Sequence, residues 1–411
     1  MDRDALNRMD VRESGLSSTP RGNRIHIAFF GLRNAGKSTL VNAFTGQDIA
    51  IVSDVAGTTT DPVSKAMEIL PLGPCLITDT AGLDDVGELG RQRVEKSLKV
   101  LETTDIAVWV EGGDRFSTDE DVRCPSESTS QPLNLSTFIE KCRQRNVKVF
   151  VYHRGDSVEE LKAKIASVKL EDETPALLEG LVKKDDRVVC VVPIDESAPK
   201  GRLILPQQQV IRECLDRGAI CTICQPEQLE RALGDAPSLV VTDSQVFGKV
   251  KRQVEGGRRV RLTSFSVLFA RQKGDLALFV QGLEQIRRLK DGDTVLIAEA
   301  CTHHRQCNDI GTVKLPKALE KLSGRKLKFE FASGKDFLQS VGLNWDNGRP
   351  RPLNTNHQPP ISLIVHCGGC MLTRREMMRR VECARAAGVP IVNYGLVLAA
   401  ANGLEIGDIL V

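Results

Sequence analysis

Short apolar runs bounded by Gly, Asp or Pro alternate with longer segments of helical period along most of the 411 residues. A strand buried on both faces reads as a continuous apolar run, and the helix that crosses back over it reads with a 3.6-residue period. Repeated alternation of the two predicts stacked βα units around parallel sheets, so the fold class is α/β. A first block, residues 24–175, runs from IHIAFFG (25–31) through PCLITDTAG and DIAVWV to VKVFVY (147–152), and the polar stretch KLEDETPALLEGLVKKDD closes it. The second, residues 176–260, repeats the theme on a smaller scale: RVVCVVPID as strand, QQQVIRECLDRG as helix, AICTIC, PEQLERALG and SLVVTD. In the third, residues 261–411, the runs TSFSVLFA, TVLIAEACTHH, KLKFEFASG, ISLIVHCGGC and PIVNYG alternate with the helices DLALFVQGLEQIRRLKDG, PKALEKLSG and TRREMMRRVECARAAG. The Pro/Asn-rich stretch GLNWDNGRPRPLNTNHQPP interrupts this block with loop composition, as a functional lid or a local insertion. Residues 1–23 are charged and polar without apolar periodicity and read as a flexible tail.

Composition changes this picture little. Lys+Arg 56 against Asp+Glu 54 leaves the chain nearly neutral, without the basic footprint of a nucleic-acid or anionic-membrane binder. The start lacks the apolar core of a signal peptide, and no later run is long enough to span a bilayer. The expectation is a cytoplasmic protein with neither nucleic acid nor membrane as partner. Twelve cysteines in so long an unsecreted chain favour metal or catalytic use for some and plain core packing for most.

The first candidate site is a phosphate cradle. Gly31-Leu32-Arg33-Asn34-Ala35-Gly36-Lys37-Ser38-Thr39 matches G-x-x-x-x-G-K-S/T between an apolar strand and the helical segment STLVNAFTG. In this motif backbone N–H groups close around phosphate oxygens, Lys37 neutralises β/γ charge and the Ser38 hydroxyl can ligate Mg²⁺. Asp79-Thr80-Ala81-Gly82 follows PCLIT, placing a carboxylate toward the Mg²⁺ shell and the Gly82 N–H toward the γ-phosphate. Gly57-Thr58-Thr59-Thr60-Asp61 supplies the hydroxyls of a loop that closes over Mg²⁺.

Cysteine and histidine make the second. Cys301 and His303 follow TVLIAEA, and Cys367 and Cys370 follow ISLIV, with His366 beside them. Loops beyond the carboxyl ends of parallel strands converge on one crevice, so the two segments can share a site. Spacing alone leaves closed tetrahedral zinc and an iron–sulfur cluster level, because soft thiolates suit both; a Cys367/Cys370 redox dithiol is the further alternative. Cys221-Thr222-Ile223-Cys224 lies within an apolar run and reads as core packing.

Two resemblances extend this reading. The phosphate motifs resemble the translation-factor-like GTPases of the tRNA-modification and Era branch, which implies a P-loop GTPase domain followed here by two smaller parallel-sheet α/β domains. The likeness assigns GTP/Mg²⁺ to Asn34, Ala35, Gly36, Lys37, Ser38, Thr39, Thr58, Thr59, Asp79, Gly82 and Asp156. Lys37, Thr59, Asp79 and Gly82 would serve hydrolysis, with Mg²⁺ on Ser38 and Thr59. Leu83 stands where Ras-like proteins carry a water-orienting Gln, and Asn34 matches the asparagine that ligates K⁺ in that branch. The guanine-reading N-K-x-D appears as His153-Arg154-Gly155-Asp156, keeping only the carboxylate, and the usual last strand of the domain is not visible after it. The stretches GQDIAIVSDVAGTTTDPVSKAMEILPLGP, DTAGLDDVGELG, VVPIDESAPKGRLILPQ, EACTHHRQCNDIGTVKLP and HCGGCMLTRREMMRRV resemble the FeFe-hydrogenase maturation GTPases. That resemblance implies a 4Fe–4S cluster on Cys301, Cys367 and Cys370, with one iron left for His303, His366 or solvent. It also implies a homodimer through the middle domain, a transient diiron precursor made with radical-SAM maturation enzymes, and delivery to the FeFe-hydrogenase apoprotein. A regulatory switch GTPase with a structural zinc domain is the alternative.

Overall fold

The structure, a computed structural model, describes residues 21–46, 62–84, 87–112, 134–168, 174–194, 203–256, 260–300, 309–333, 337–346, 349–352, 361–369 and 372–409. Two compact units divide the chain, one of Thr19–Glu171 and one built mainly of Asp172–Val411.

Strand β1 (Ile25–Phe30) is the centre of the first unit. Its apolar run is buried on both faces because successive side chains alternate: Ile27 and Phe29 enter one core, Ala28 and Phe30 the other. Around it lie β2 (Val63–Ile69), β3 (Gly73–Asp79), β4 (Ile106–Glu111) and β5 (Lys148–His153) in the order β2-β3-β1-β4-β5. All pairings are parallel except β2 with β3. Helices α1 (Lys37–Thr45) and α4 (Val158–Ala166) bury Leu40, Val41, Phe44, Leu161 and Ile165 on one face. On the other, α2 (Gly87–Leu101) and α3 (Leu135–Arg143) contribute Leu101, Phe138 and Cys142. Among the described residues the sheet ends at β5.

The second unit holds two four-stranded parallel sheets. The first comprises β6 (Arg187–Val191), β7 (Ile220–Cys224), β8 (Leu239–Thr242) and β9 (Arg261–Ser264) in the order β7-β6-β8-β9. Helix α5 (Leu205–Asp216) covers one face; α6 (Leu229–Leu233) and α7 (Phe247–Glu255) cover the other. Assigning everything from residue 261 onward to the third block is corrected here, since β9 pairs with β8 from Leu239↔Arg261 to Thr242↔Ser264 and completes the middle sheet.

Helix α8 (Phe265–Lys273) follows β9 at once, its first turn capped by Ser264 Oγ accepting from Val267 N at 3.2 Å. Phe265, Leu268 and Phe269 pack into the middle core, whereas Val267 and Ala270 pack into the next one. That next core surrounds β10 (Thr294–Glu299), β11 (Lys328–Ser333), β14 (Ile361–His366) and β15 (Ile391–Asn393) in the order β11-β10-β14-β15. It is covered by α9 (Leu276–Gln285), α10 (Leu315–Ser323), α12 (Arg374–Ala386) and α13 (Tyr394–Ala401). The Pro/Asn-rich interruption is partly structured: after the short helix α11 (Phe337–Ser340), β12 (Leu343–Asp346) and β13 (Arg349–Pro352) form an antiparallel pair. No helix among the described residues is long and apolar enough to cross a membrane.

Leu268 is 1% exposed in the middle core, and truncating a leucine so buried costs about 2–5 kcal/mol. Leu268→Ala is therefore expected to lower the urea midpoint of the unit that holds α8 while nucleotide binding persists; an unchanged midpoint contradicts the packing described.

Candidate functional site

The phosphate loop is formed by the turn from β1 into α1. Asn34 sits there in the left-handed conformation with φ 61°, and Lys37 opens the helix. Ala35 and Lys37 are buried, whereas Asn34, Gly36 and Thr39 are exposed. The Lys37 ammonium donates to Gly31 O at 3.2 Å and Leu32 O at 2.6 Å, which holds it under the loop. Behind the loop, Leu83 N donates to Gly31 O at 3.2 Å and Arg33 N to Asp84 Oδ1 at 2.5 Å, so the segment after β3 is tied to the loop on the Gly82 side.

Asp79 ends β3 at 1% exposure. Ser38 Oγ donates to its Oδ2 at 2.6 Å, and its buried Oδ1 has no hydrogen-bond partner among the described residues. Burial raises the Asp79 pKa, against the opposing pull of the Ser38 hydroxyl, the Lys37 ammonium and the Thr80 amide. A buried carboxylate oxygen without a donor, beside a serine hydroxyl, is what a hard divalent cation with oxygen ligands fits. Thr58 and Thr59, the other expected residues, lie outside the described residues.

Asp156 stands beyond β5 in an exposed turn. Its Oδ2 accepts from His153 N at 2.9 Å and its own N–H donates to His153 O at 2.9 Å. His153 Nδ1 in turn meets Glu111 Oε2 at 2.8 Å. The carboxylate thus braces the turn that carries it.

The motif does not contain one residue on which this geometry depends. A Cβ added at Gly112, just past β4, would lie 2.5 Å from the Ala35 Cα. Only a glycine lets the phosphate loop pack this closely against the end of β4. Its position after an apolar strand was the available signal.

The strands that precede the cysteine segments pair with each other. Strand β10 pairs with β14 in parallel, with Ala298 opposite His366, so both chains leave the sheet at the same end. Cys367 N donates to Ala298 O at 2.9 Å and Ala300 N donates to Cys367 Sγ at 3.1 Å. Residue 300 immediately precedes Cys301. The thiol of Cys367, half-buried at the strand end with an amide N–H aimed at its sulfur, suits a thiolate ligand to a soft metal. Cys301, His303 and Cys370 lie outside the described residues, and among the described residues no group of three His, Cys, Asp or Glu side chains could hold a metal ion.

His366, one of the possible fourth ligands, is held inside the fold. Its ring is fully buried. Arg380 Nη1, which can only donate, lies 2.9 Å from Nε2, so Nδ1 carries the proton and donates to Cys367 O at 2.7 Å. Phe337 meets the ring edge-on at 5.7 Å. Burial, with the Arg380 charge adding to it and the Cys367 carbonyl opposing, pushes the His366 pKa down to about 3. Both nitrogens are engaged inside the fold, and coordination would break one of these bonds.

Beyond Cys367 the loop passes Gly369 in the left-handed conformation at φ 62° and enters α12, capped by Thr373 Oγ1 accepting from Glu376 N at 3.2 Å. Lys273, at the end of α8, donates to Gly369 O at 3.2 Å and to Leu372 O at 2.9 Å. The other C-x-x-C pair behaves as core packing: Cys221 packs against the core that holds Cys190, its Sγ 3.7 Å from Cys190 Sγ, whereas Cys224 enters the core on the opposite face of the sheet.

A G-x-x-x-x-G-K-S loop joined to an Asp-Thr-Ala-Gly turn at the carboxyl ends of a β2-β3-β1-β4-β5 sheet defines a P-loop GTPase domain, here followed by two parallel-sheet α/β domains. Residues 26–177 match the 50S ribosome-binding GTPase family, residues 177–274 the Hydrogen maturase F dimerization domain and residues 277–407 the Hydrogen maturase F tetramerization domain. The chain belongs to the hydrogen maturase F family of GTPases. Similar curated proteins include the tRNA modification GTPase MnmE of Zymomonas mobilis, 39% identical over 21% of this chain and 20% of its own. GTPase Der of Campylobacter hominis is 30% identical over 36% of this chain and 35% of its own. The chain thus spans about a third or less of the length of these relatives. A crystal structure of a single-residue variant of Aquifex aeolicus Era bound to GDP and aluminium fluoride aligns with 76% of this chain and 94% of its own at 17% identity and a TM-score of 0.22.

Gly112→Ala is expected to weaken binding of a fluorescent guanine nucleotide by about tenfold or more, which is about 1.4 kcal/mol. Wild-type affinity in that variant would contradict the close approach of β4 to the phosphate loop.

Proposed function

We propose that this protein binds and slowly hydrolyses GTP in its first unit and holds a 4Fe–4S cluster on Cys301, Cys367 and Cys370. On that platform it receives a diiron precursor, the cargo, made by radical-SAM maturation enzymes, and passes it to the FeFe-hydrogenase apoprotein. The reading rests on family membership and on one contact, Ala300 N to Cys367 Sγ at 3.1 Å, made by the residue that precedes Cys301 in the sequence. Three thiolates leave one iron of such a cluster open as a docking point for the cargo.

In the first unit, Lys37 neutralises phosphate charge and Gly82 offers its N–H to the γ-phosphate. Ser38, Asp79 and Thr59 would hold Mg²⁺, which supplies charge neutralisation across the β- and γ-phosphates. Asn34 would hold K⁺, in the role an arginine finger fills elsewhere. The nucleotide state sensed around residues 58–61 and 79–85 then governs release of partners. Homodimer formation through the middle domain is supported by its edge strand β7, which leaves Ile220 and Ile223 half exposed. The protein works in the cytoplasm.

Hydrolysis is expected to be faster in K⁺ than in Na⁺, with the difference lost in Asn34→Ala and turnover lost in Lys37→Ala; equal wild-type rates in the two salts contradict the role of Asn34. For the metal site, Cys301→Ala and Cys367→Ala should each abolish iron binding after anaerobic reconstitution, whereas Cys221→Ala keeps it. Unchanged metal content in Cys301→Ala would overturn the three-ligand site, and together with loss of a dithiol activity in Cys367→Ala it would favour a redox dithiol at Cys367 and Cys370.

A further inference from the structure

Cys221 does more than fill the middle core. Its Sγ lies 3.7 Å from Cys190 Sγ, and a further hydrogen bond links it to the Cys214 thiol, which reaches from α5 over the same face of the sheet. Cys190 and Cys214 are fully buried, whereas Cys221 is half-buried on the edge strand β7. One thiol of the three is thus open to a small reagent. Its C-x-x-C mate Cys224 takes no part, because it enters the core on the opposite face.

Contact among the three sorts their protons. A thiolate that accepts S–H donors is stabilised, whereas its donors hold their protons more firmly. The bonds from Cys190 and Cys214 accordingly draw the Cys221 pKa below that of an ordinary thiol, against the effect of burial. The same bonds, with burial, raise those of Cys190 and Cys214. Burial pushes two other thiols the ordinary way, Cys142 up to about 12 and Cys75 up to about 11. In the cluster, then, the more exposed thiol is also the more readily ionised.

Register decides which neighbour can bond to it. Cys221 stands opposite Val188, and Cys190 lies two residues further along β6. That offset separates the Cα atoms by about 8 Å, beyond the roughly 7 Å that a disulfide spans. Cys214 is under no such restriction, since Ala219 N donates to Cys214 O at 2.8 Å and the chain turns at once from the end of α5 into β7.

We propose that Cys221 is a redox-reactive thiol, oxidised by hydroperoxides and then bridged to Cys214, with Cys190 as its hydrogen-bonding neighbour. In the first step the Cys221 thiolate attacks hydrogen peroxide, an S–O bond forms as the O–O bond breaks, and the departing hydroxide takes a proton to leave as water. In the second the Cys214 thiol attacks the resulting sulfenic acid, an S–S bond replaces the S–O bond, and the hydroxyl leaves with the Cys214 proton as water. Two electrons pass from the two thiols to the peroxide. The bridge fastens the end of α5 to the edge strand.

The test exposes full-length protein, purified anaerobically, to hydrogen peroxide, blocks the remaining thiols with iodoacetamide and maps tryptic peptides by mass spectrometry. Cleavage after Arg187, Lys200, Arg212, Arg217 and Arg231 puts Cys190, Cys214 and Cys221 on three separate peptides, so the map is independent of any cluster at the other cysteine loop. The expected result is loss of both free thiols and a peptide 213–217 joined to 218–231, released by dithiothreitol and kept in Cys224→Ser. In Cys214→Ser the bridge is lost and dimedone labels Cys221. A wild-type map without that bridge, or with Cys221 joined to Cys190, overturns the proposal. Should Cys214→Ser not fold, the wild-type map decides alone.

Discussion

The parallel pairing of β10 with β14 is the constraint on which the proposed iron–sulfur site depends. Its register fixes Ala298 opposite His366 and so delivers two segments 67 residues apart in sequence to the same point, where an amide of one meets the sulfur of the other. Parallel sheets gather their loops at the carboxyl ends of the strands. In the order β11-β10-β14-β15 these two strands are central, so the pairing is flanked by further strands and buried by helices.

Around this pairing the chain builds a rigid support from α8 and α12. The first is buried on two sides, by Phe265, Leu268 and Phe269 in the middle core and by Val267 and Ala270 in the next. It ends in Lys273, whose ammonium fixes the loop carbonyls. The second begins with Arg374, which holds the end of α8, and carries Arg380 against His366. A helix shared between two cores transmits the position of one to the other, because packed interiors shift as blocks. Through Lys273, α8 joins the middle core to the loop after β14.

Much of this was legible in the chain, and the rest follows a clear rule. The phosphate site could be read because its residues from Gly31 to Thr39 are contiguous and flanked by a strand and a helix that confirm them. The α/β class and most strands could be read because buried parallel strands are continuous apolar runs. Less legible was what depends on distant pairing: β9 looked like the start of a new block until its register with β8 placed it in the middle sheet. Whether His366 is a ligand or a neighbour of Cys367 was open in the sequence, because the bond of its ring to Arg380, 14 residues along, is made across the fold. Lys273 carried no local signal at all, since its partners lie 96 and 99 residues away. Gly112 offered only its place after the apolar run of β4, because its role is the space it leaves for Ala35.

The central claim is that the two cysteine segments form one iron–sulfur site. It is tested most directly by metal analysis and EPR of the anaerobically reconstituted, dithionite-reduced protein. The account predicts about four irons and four sulfides per chain with a paramagnetic reduced cluster. One zinc per chain with no paramagnetic signal would contradict it.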